Sequence, residues 1–428
     1  MGWPWPPRRN LAVTESTGTP TLKVAGGVYH FEWAEGITAE LERFSEHRDE
    51  LTAEVTIRST RVPRPGLIHS ARLNLMSTQT RQRLESSCQK REPDLDWQAI
   101  LEQLCIMAVD RYRSGDPAID MRSYEPAQLG HWLLEPFVEH GGATILFADG
   151  GSGKSMTALA IALSIATGQN VIGNLRGEPR PVLYLDWETD PDTFHARLSA
   201  LSWGSELLTT PHVYYRRQVA SLAESAPVIQ REIAKLGVGF VVVDSLGAAR
   251  GGEPESAEVT IRTFNAARSL GVPWLAVDHV TKQAGNDATR PFGSTYSHNL
   301  ARLTWSMEKA QDEGDSTIVV AMVNRKRNNG KLLNRLGYRM KFQNDDKDGL
   351  SAVTFESTDL MQTALADRQP LRSRIANELK RGPLTIQEIA DGLGAPDDQI
   401  RSRLRDMEKA LLIVRLPDKR VALAAREH

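Results

Sequence analysis

The 428-residue chain is short of several things, and each shortage narrows its class. Two cysteines, Cys88 and Cys105, are too few for a disulfide-built scaffold. Both fall in amphipathic helical patterns, which predicts buried thiols in a reducing compartment rather than a bridge. No apolar run approaches the roughly 18 residues of a membrane-spanning helix. The start, Met1-Gly2-Trp3-Pro4-Trp5-Pro6-Pro7-Arg8-Arg9, lacks the apolar stretch of a secretory signal. The expectation is a cytoplasmic protein with no membrane partner. Strong charge bias is also missing: 52 Lys and Arg against 54 Asp and Glu leave a net charge of −2. Any attraction to nucleic acid must therefore come from local charge distribution.

What is present divides into segments, and the length allows about three domains. Residues 1–20 read as a disordered Pro-rich tail, with a Trp/Pro docking peptide as the other reading. Residues 21–120 read as a small α+β domain without a catalytic pattern. Val28–Trp33 and Leu51–Ile57 alternate as strands do, and Ile37–Phe44 either pairs with the latter or forms a helix. Two helices are expected at 77–92 and 96–113, the second capped by Asp96. A polar, turn-rich linker follows at Ser114–Asp120.

From 125 to 358 apolar strands alternate with helices. The strands are Thr144–Ala148, Val182–Leu185, Phe240–Val243 and Trp274–Val277, and the helices lie near 155–167, 192–202, 225–236 and 256–269. Such winding predicts a mostly parallel sheet. Four further strands, Arg302–Met307, Thr317–Val323, Tyr338–Phe342 and Ser351–Phe355, are expected as an antiparallel extension at one edge. Residues 367–428 pattern as three helices and a hairpin, a winged helix-turn-helix. Its second helix opens with the capping box Thr385-Ile386-Gln387-Glu388.

The most telling stretch is Ala148-Asp149-Gly150-Gly151-Ser152-Gly153-Lys154-Ser155, between an apolar strand and an Ala-rich helix. It is a phosphate-binding loop in which alanine replaces the first glycine of the usual pattern. Backbone N–H groups from Asp149 to Met156 would wrap a polyphosphate at a helix N-terminus. Lys154 would reach the β- and γ-phosphates of ATP, and Ser155 would ligate Mg²⁺. Hydrolysis also needs a carboxylate for the metal's water shell and one for the attacking water. Asp244, closing the buried strand Phe240–Val243 about 90 residues after the loop, suits the first role, acting on Mg²⁺ through water. Glu188, beyond the strand Val182–Leu185, suits the second, with Asp186 as competitor and a helix N-cap as the bland reading of either. His279 closes a third strand at the same sheet edge, as a γ-phosphate sensor or a structural histidine.

Together these residues resemble the RecA-like core of hexameric superfamily 4 helicases, most closely the RepA-type replicative helicases of plasmids and phages, over about 140–345. The resemblance implies an α/β fold of the RecA-like P-loop NTPase type. It implies Lys154 and Ser155 as the Walker A pair, Glu188 as the water-activating residue, Asp244 as the Walker B carboxylate and His279 as the sensor. In Val323-Asn324-Arg325-Lys326-Arg327-Asn328-Asn329-Gly330, it implies that Arg325 and Arg327, two apart, enter a neighbour's ATP site while Lys326 points away. A one-residue shift would exchange those roles, and a solvated basic hairpin is the plain alternative. The implied assembly is a homo-oligomer, a hexamer in such families, acting on single-stranded DNA. The N-terminal domain resembles neither a primase nor the helical collar of a main bacterial replicative helicase, and the winged-helix tail is not a standard part of the minimal RepA-type enzyme.

Two loops would face DNA in such a ring: Leu246–Glu255, with Arg250-Gly251-Gly252, and Thr281–Ser297, with Lys282, Arg290 and Phe292. In the C-terminal unit, Arg401, Arg403 and Arg405 on the third helix and Arg415, Lys419 and Arg420 on the wing would meet duplex DNA or a protein. Its 13 lysines and arginines against 10 acidic residues give only a small positive excess. The expected function is an ATP-driven DNA helicase or translocase. The alternatives are a mediator ATPase that does not unwind and a DNA-binding regulator switched by ATP.

Overall fold

In the computed structural model, the described residues are 18–25, 27–63, 65–115, 118–125, 132–175, 177–253, 256–280 and 295–424. The expected tail at 1–20 lies almost wholly outside them, as do Lys282, Arg290 and Phe292. The chain forms two compact units. The first contains residues up to 129 together with Leu222–Gly237 and Asn265–Gly271. The second contains the rest, including the C-terminal helices. Two stretches that pattern with the central strand–helix alternation thus group with the N-terminal residues, because an amphipathic helix buries its apolar stripe wherever a complementary face lies.

The first unit opens with β1 (Thr21–Ala25), β2 (Val28–Glu32), β3 (Ile37–His47), β4 (Glu50–Ser59) and β5 (Leu67–Asn74), an antiparallel sheet in sequence order. Ile37–Phe44 is strand, paired with Leu51–Ser59 in the register Ile37↔Ser59 to His47↔Glu50. Alternation decides the buried face: Ile37, Ala39 and Leu41 point inward, as do Leu51, Ala53, Val55 and Ile57. Helices α1 (Thr78–Gln89) and α2 (Trp97–Ser114) follow, and Asp96 caps α2 by accepting from Ala99 N at 3.0 Å. Trp97, Ile100, Leu101 and Leu104 bury the face expected of them. Cys88 and Cys105 are free and buried, and burial pushes their thiols up to about 12 and about 11.

The second unit begins with a small hairpin, β6 (Trp132–Leu134) and β7 (Val138–Glu139), and β8 (Ala143–Ala148). Next come α3 (Lys154–Thr167), β9 (Val182–Asp186), α4 (Pro191–Gly204) and β10 (Val213–Arg217). In chain order there follow α5 (Leu222–Leu236), which groups with the first unit, β11 (Phe240–Asp244), α6 (Leu246–Ala249), α7 (Ala257–Ser269), whose last residues also group there, β12 (Trp274–His279) and α8 (Thr295–Leu300). The remaining sheet strands are β13 (Leu303–Ala310), β14 (Thr317–Arg327), β15 (Leu336–Asn344) and β16 (Leu350–Ser357). They build one nine-stranded sheet in the order β10-β9-β11-β12-β8-β13-β14-β15-β16. Pairing is parallel from β10 to β13 and antiparallel from β13 to β16. The central strands are buried along their whole length, which is why they read as continuous apolar runs. Helix α3 is apolar nearly all round and lies in the same core with Leu146, Val242, Trp305 and Met340. Strand β12 separates β8 from β11, so the ends of all three strands meet at one sheet edge.

A bulge interrupts the β13–β14 ladder between Thr304 and Trp305. Trp305 lies opposite Asn324 and Thr304 opposite Lys326, leaving Arg325 as the extra residue. The chain ends in α9 (Leu371–Leu379), α10 (Ile386–Leu393), α11 (Asp397–Lys409) and the hairpin β17 (Ile413–Arg415) and β18 (Val421–Leu423). Their own small core holds Ile375, Leu379, Ile389, Ile400, Leu404, Met407, Ile413 and Val421. Thr385 and Glu388 cap α10 reciprocally, and Gly394 closes it at φ 59°. No helix among the described residues is long and apolar enough to cross a membrane.

Candidate nucleotide-binding site

The loop between β8 and α3 turns on two glycines with left-handed backbone, Gly151 at φ 65° and Gly153 at φ 83°. A side chain at Gly153 would also meet the Met340 methyl at 2.2 Å. Ala148 stands in buried strand backbone, which alanine adopts without strain, so the missing first glycine costs the loop nothing. A cleft of about 340 Å³ opens here, lined by Gly150 to Met156 together with Glu188, Arg197, Asp244, Ser245 and His279. The structure thus brings Lys154, Ser155, Glu188, Asp244 and His279 together. Asp149, expected among the nucleotide-binding residues, is not in the lining; its carbonyl accepts from Ser152 Oγ and Lys154 Nζ, both at 2.8 Å.

Lys154 Nζ also donates to Ala148 O at 3.0 Å. Burial lowers its pKa, opposed by Asp244, Glu188, Asp149 and Asp278. An ammonium held against loop carbonyls can exchange them for phosphate oxygens without leaving the cleft. Asp244 closes β11, and burial pushes its carboxyl up to about 6, against the Tyr184 hydrogen bond and the neighbouring Ser155 hydroxyl. Tyr184 Oη donates to Asp244 Oδ2 at 2.7 Å. Asp244 Oδ1 is buried with no hydrogen-bond partner among the described residues. A buried carboxylate oxygen lacking a donor, close to a hydroxyl of the phosphate loop, is a donor set that suits a hydrated Mg²⁺. No group of three or more metal-ligating side chains occurs among the described residues, and a cation shared with phosphates needs none.

Asp186 and Glu188 separate clearly. Asp186 is buried and accepts from Glu188 N at 2.8 Å, Thr189 N at 3.0 Å and the Thr189 hydroxyl, so both its oxygens serve the turn. Glu188 lies in the cleft lining. The N-cap of α4 is a third carboxylate, Asp190. His279 ends β12 exposed, and its backbone N–H donates to Asp278 Oδ1 at 2.9 Å.

Arg325 and Arg327 do not share a face. The bulge turns Arg325 to the side of Ser306 and Glu308, which it contacts at 2.8 and 3.2 Å. Arg327 lies on the opposite side, bound to Glu139 at 3.3 Å and stacked 4.9 Å over Trp132. Lys326 lies on the Arg325 side rather than pointing away from both, because an inserted residue breaks the two-residue alternation. Neither arginine lines the cleft of its own chain. Arg250 corrects a further expectation. It is fully buried, paired with Asp278 at 2.9 Å, and cannot meet DNA in this arrangement.

Two cations at the cleft escaped sequence reasoning. Arg197 enters the lining from α4. Lys309, from β13, donates to Gly151 O at 2.8 Å, although no motif links positions so far apart.

Strand order, phosphate loop and carboxylates together form an α/β core of the RecA-like P-loop type. Residues 108–285 match the family model described as an AAA domain. Among solved structures, a KaiC-like protein from the hyperthermophilic archaeon Pyrococcus horikoshii OT3 is similar at 13% identity and TM-score 0.37, covering 53% of this chain and 94% of its own. The flagellar accessory protein FlaH from Methanocaldococcus jannaschii is similar at 15% identity and TM-score 0.32, covering 50% of this chain and 89% of its own. No curated protein sequence matches the chain.

Proposed function

We propose that the protein hydrolyses ATP as a ring-forming DNA helicase or translocase of RepA type, working on single-stranded DNA as a homo-hexamer. The observation that carries the reading is one cleft lined by Lys154, Ser155, Glu188, Asp244 and His279. Lys154 holds the β- and γ-phosphates. Ser155 and, through water, Asp244 would hold Mg²⁺, which when bound would neutralise charge on those phosphates. Glu188 orients the attacking water, and His279 reads the γ-phosphate. A guanidinium from β14 of a neighbouring copy completes the charge stabilisation. Both β14 arginines are held within their own chain, Arg325 by Ser306 and Glu308 and Arg327 by Glu139 and Trp132; Arg325, with the more exposed side chain (24% against 14%), suits that part better.

The C-terminal helices and hairpin act in this reading as a winged helix-turn-helix for duplex DNA or a protein. One observation favours a second reading, an ATPase that binds DNA or a partner without unwinding. Arg401, Arg403, Arg415 and Arg420 pair with Asp397, Asp406, Glu408 and Asp418. Buried Arg250 thins the DNA-facing charge further. Turnover with and without single-stranded DNA, measured beside displacement of a forked duplex, tests both. DNA-stimulated turnover with displacement supports the helicase; stimulation without displacement supports the second reading. Turnover indifferent to DNA removes the helicase and leaves only the partner-binding form of the second reading.

A further inference from the structure

Helix α8 has six residues, far too few to hold itself in water. Its position must come from what grips its ends, and both ends are gripped by charged side chains. Near the start, Ser297 Oγ accepts from Arg250 at 2.8 Å. The same guanidinium group donates to Asp278 Oδ2 at 2.9 Å, and Asp278 Oδ1 accepts the backbone N–H of His279. Arg250, Asp278 and Ser297 are all fully buried. At the far end, Lys326 Nζ donates to the carbonyls of His298, Asn299 and Ala301 at 3.0, 2.7 and 2.7 Å. Three ammonium donors thus meet three carbonyls that the helix end leaves unsatisfied. Lys326 sits beside the bulged Arg325, opposite Thr304.

A buried ion pair is a poor device for stability alone, since a well-packed apolar pair of similar volume often does as well. What the Arg250–Asp278 pair supplies is fixed direction. Its carboxylate is tied to the His279 backbone on one side and, through Arg250, to α8 on the other. Asp278 is also close enough to Lys154 for each to feel the other's charge. We propose that Asp278, Arg250, Ser297 and Lys326 are positioning residues that fix α8 between the His279 end of β12 and the basic bulge of β14. Occupancy of the cleft is then transmitted to Arg325. The inference rests on the reading that the cleft binds ATP, and it goes beyond that reading by naming the connection.

The test is amide hydrogen exchange of the full chain bound to ADP or to the non-hydrolysable analogue AMP-PNP. It compares wild type, Ser297→Ala, Lys326→Met and the double variant. In wild type, amides of 295–300 and 325–327 should exchange about fivefold or more slowly with AMP-PNP than with ADP. Ser297→Ala should erase that difference at both stretches, and Lys326→Met should erase it at 325–327 while leaving it at 295–300, with AMP-PNP affinity unchanged within about threefold. The double variant should be no worse than the worse single, because one linkage is broken twice. Ser297→Ala removes only a hydroxyl and keeps the ion pair, so it remains informative if Asp278→Asn does not fold. Exchange at α8 indifferent to nucleotide in a wild type that binds both would overturn this inference and leave the ATPase reading standing. Failure of the wild type to bind either nucleotide would overturn both.

Discussion

The phenol of Tyr184 reaches across from β9 to hold Asp244 Oδ2 at 2.7 Å, leaving Oδ1 without a partner among the described residues. One oxygen is anchored by the fold and the other is left for the site. Burial raises the Asp244 pKa to about 6, and the Tyr184 hydroxyl acts against that rise. Tyr184→Phe should therefore move the acid limb of kcat/KM to higher pH while leaving the alkaline plateau nearly unchanged. An unmoved limb would remove Asp244 from the titration.

The same shift makes a stability prediction for the nucleotide-free protein. A carboxyl whose folded pKa lies above its unfolded value contributes stability that is present at low pH and lost as pH rises through the folded value. The stability of wild type relative to Asp244→Asn should therefore fall between about pH 4 and pH 7 in denaturant titrations. A constant difference would show that Asp244 does not titrate there.

Glu188 and Asp186 should fail in different ways. Glu188→Gln should keep ATP-analogue binding and cut turnover about 100-fold or more, a loss of roughly 3 kcal/mol in the barrier. Asp186→Asn should lower the melting temperature first, because both its oxygens cap the turn before α4. Full turnover in Glu188→Gln would remove it from water activation. Lys154→Ala should abolish hydrolysis, measured as phosphate release.

The two β14 arginines should also separate. Arg327→Ala takes a charged donor from Glu139, a buried carboxylate that also accepts from Asn329 at 3.0 Å. Breaking such a pair costs about 3 kcal/mol, or a fall of roughly 6 to 12 °C in Tm. Arg325→Ala should change Tm little; doped into wild type, it should depress activity faster than in proportion to its fraction. A linear decline would deny it a role in a neighbouring site.

Arg197→Ala should lower kcat/KM for ATP about tenfold or more with the fold intact by circular dichroism. Its guanidinium lines the cleft from the same chain, and one charge-assisted contact to phosphate is worth about 1.5–3 kcal/mol. Unchanged kinetics would make it a bystander.

The parts of the site that lie next to each other in the chain were readable from it. The phosphate loop, the strand before Asp244 and the turn holding Glu188 each carry their chemistry within a few residues. Strand alternation also placed the apolar face of β4, while β3 stayed open between strand and helix until its pairing with β4 decided it. The β13–β14 register was not readable, because a bulge is set by cross-strand pairing and leaves no period of its own. Counting two from Arg325 to Arg327 therefore put on one face residues that the bulge places on opposite faces. Arg250 looked exposed because glycines follow it, while its partner Asp278 lies at the end of another strand. Strands β5 and β10 carry too many polar side chains for alternation to reveal them. Lys309 at the loop depends on two strands meeting, which no local pattern encodes.

That meeting has a consequence for how the molecule may be cut. The stretch recognisable as an AAA domain ends at 285, before β13 begins. Yet β13 is the neighbour of β8 along Thr144–Phe147, and its Lys309 supports the loop at Gly151. A fragment trimmed to the recognisable stretch would expose β8 as a bare, largely apolar rim, the kind of surface that pairs with other chains. It would carry every signature residue from Lys154 to His279 and still aggregate: the smallest heritable unit of this site is longer than the part that names it.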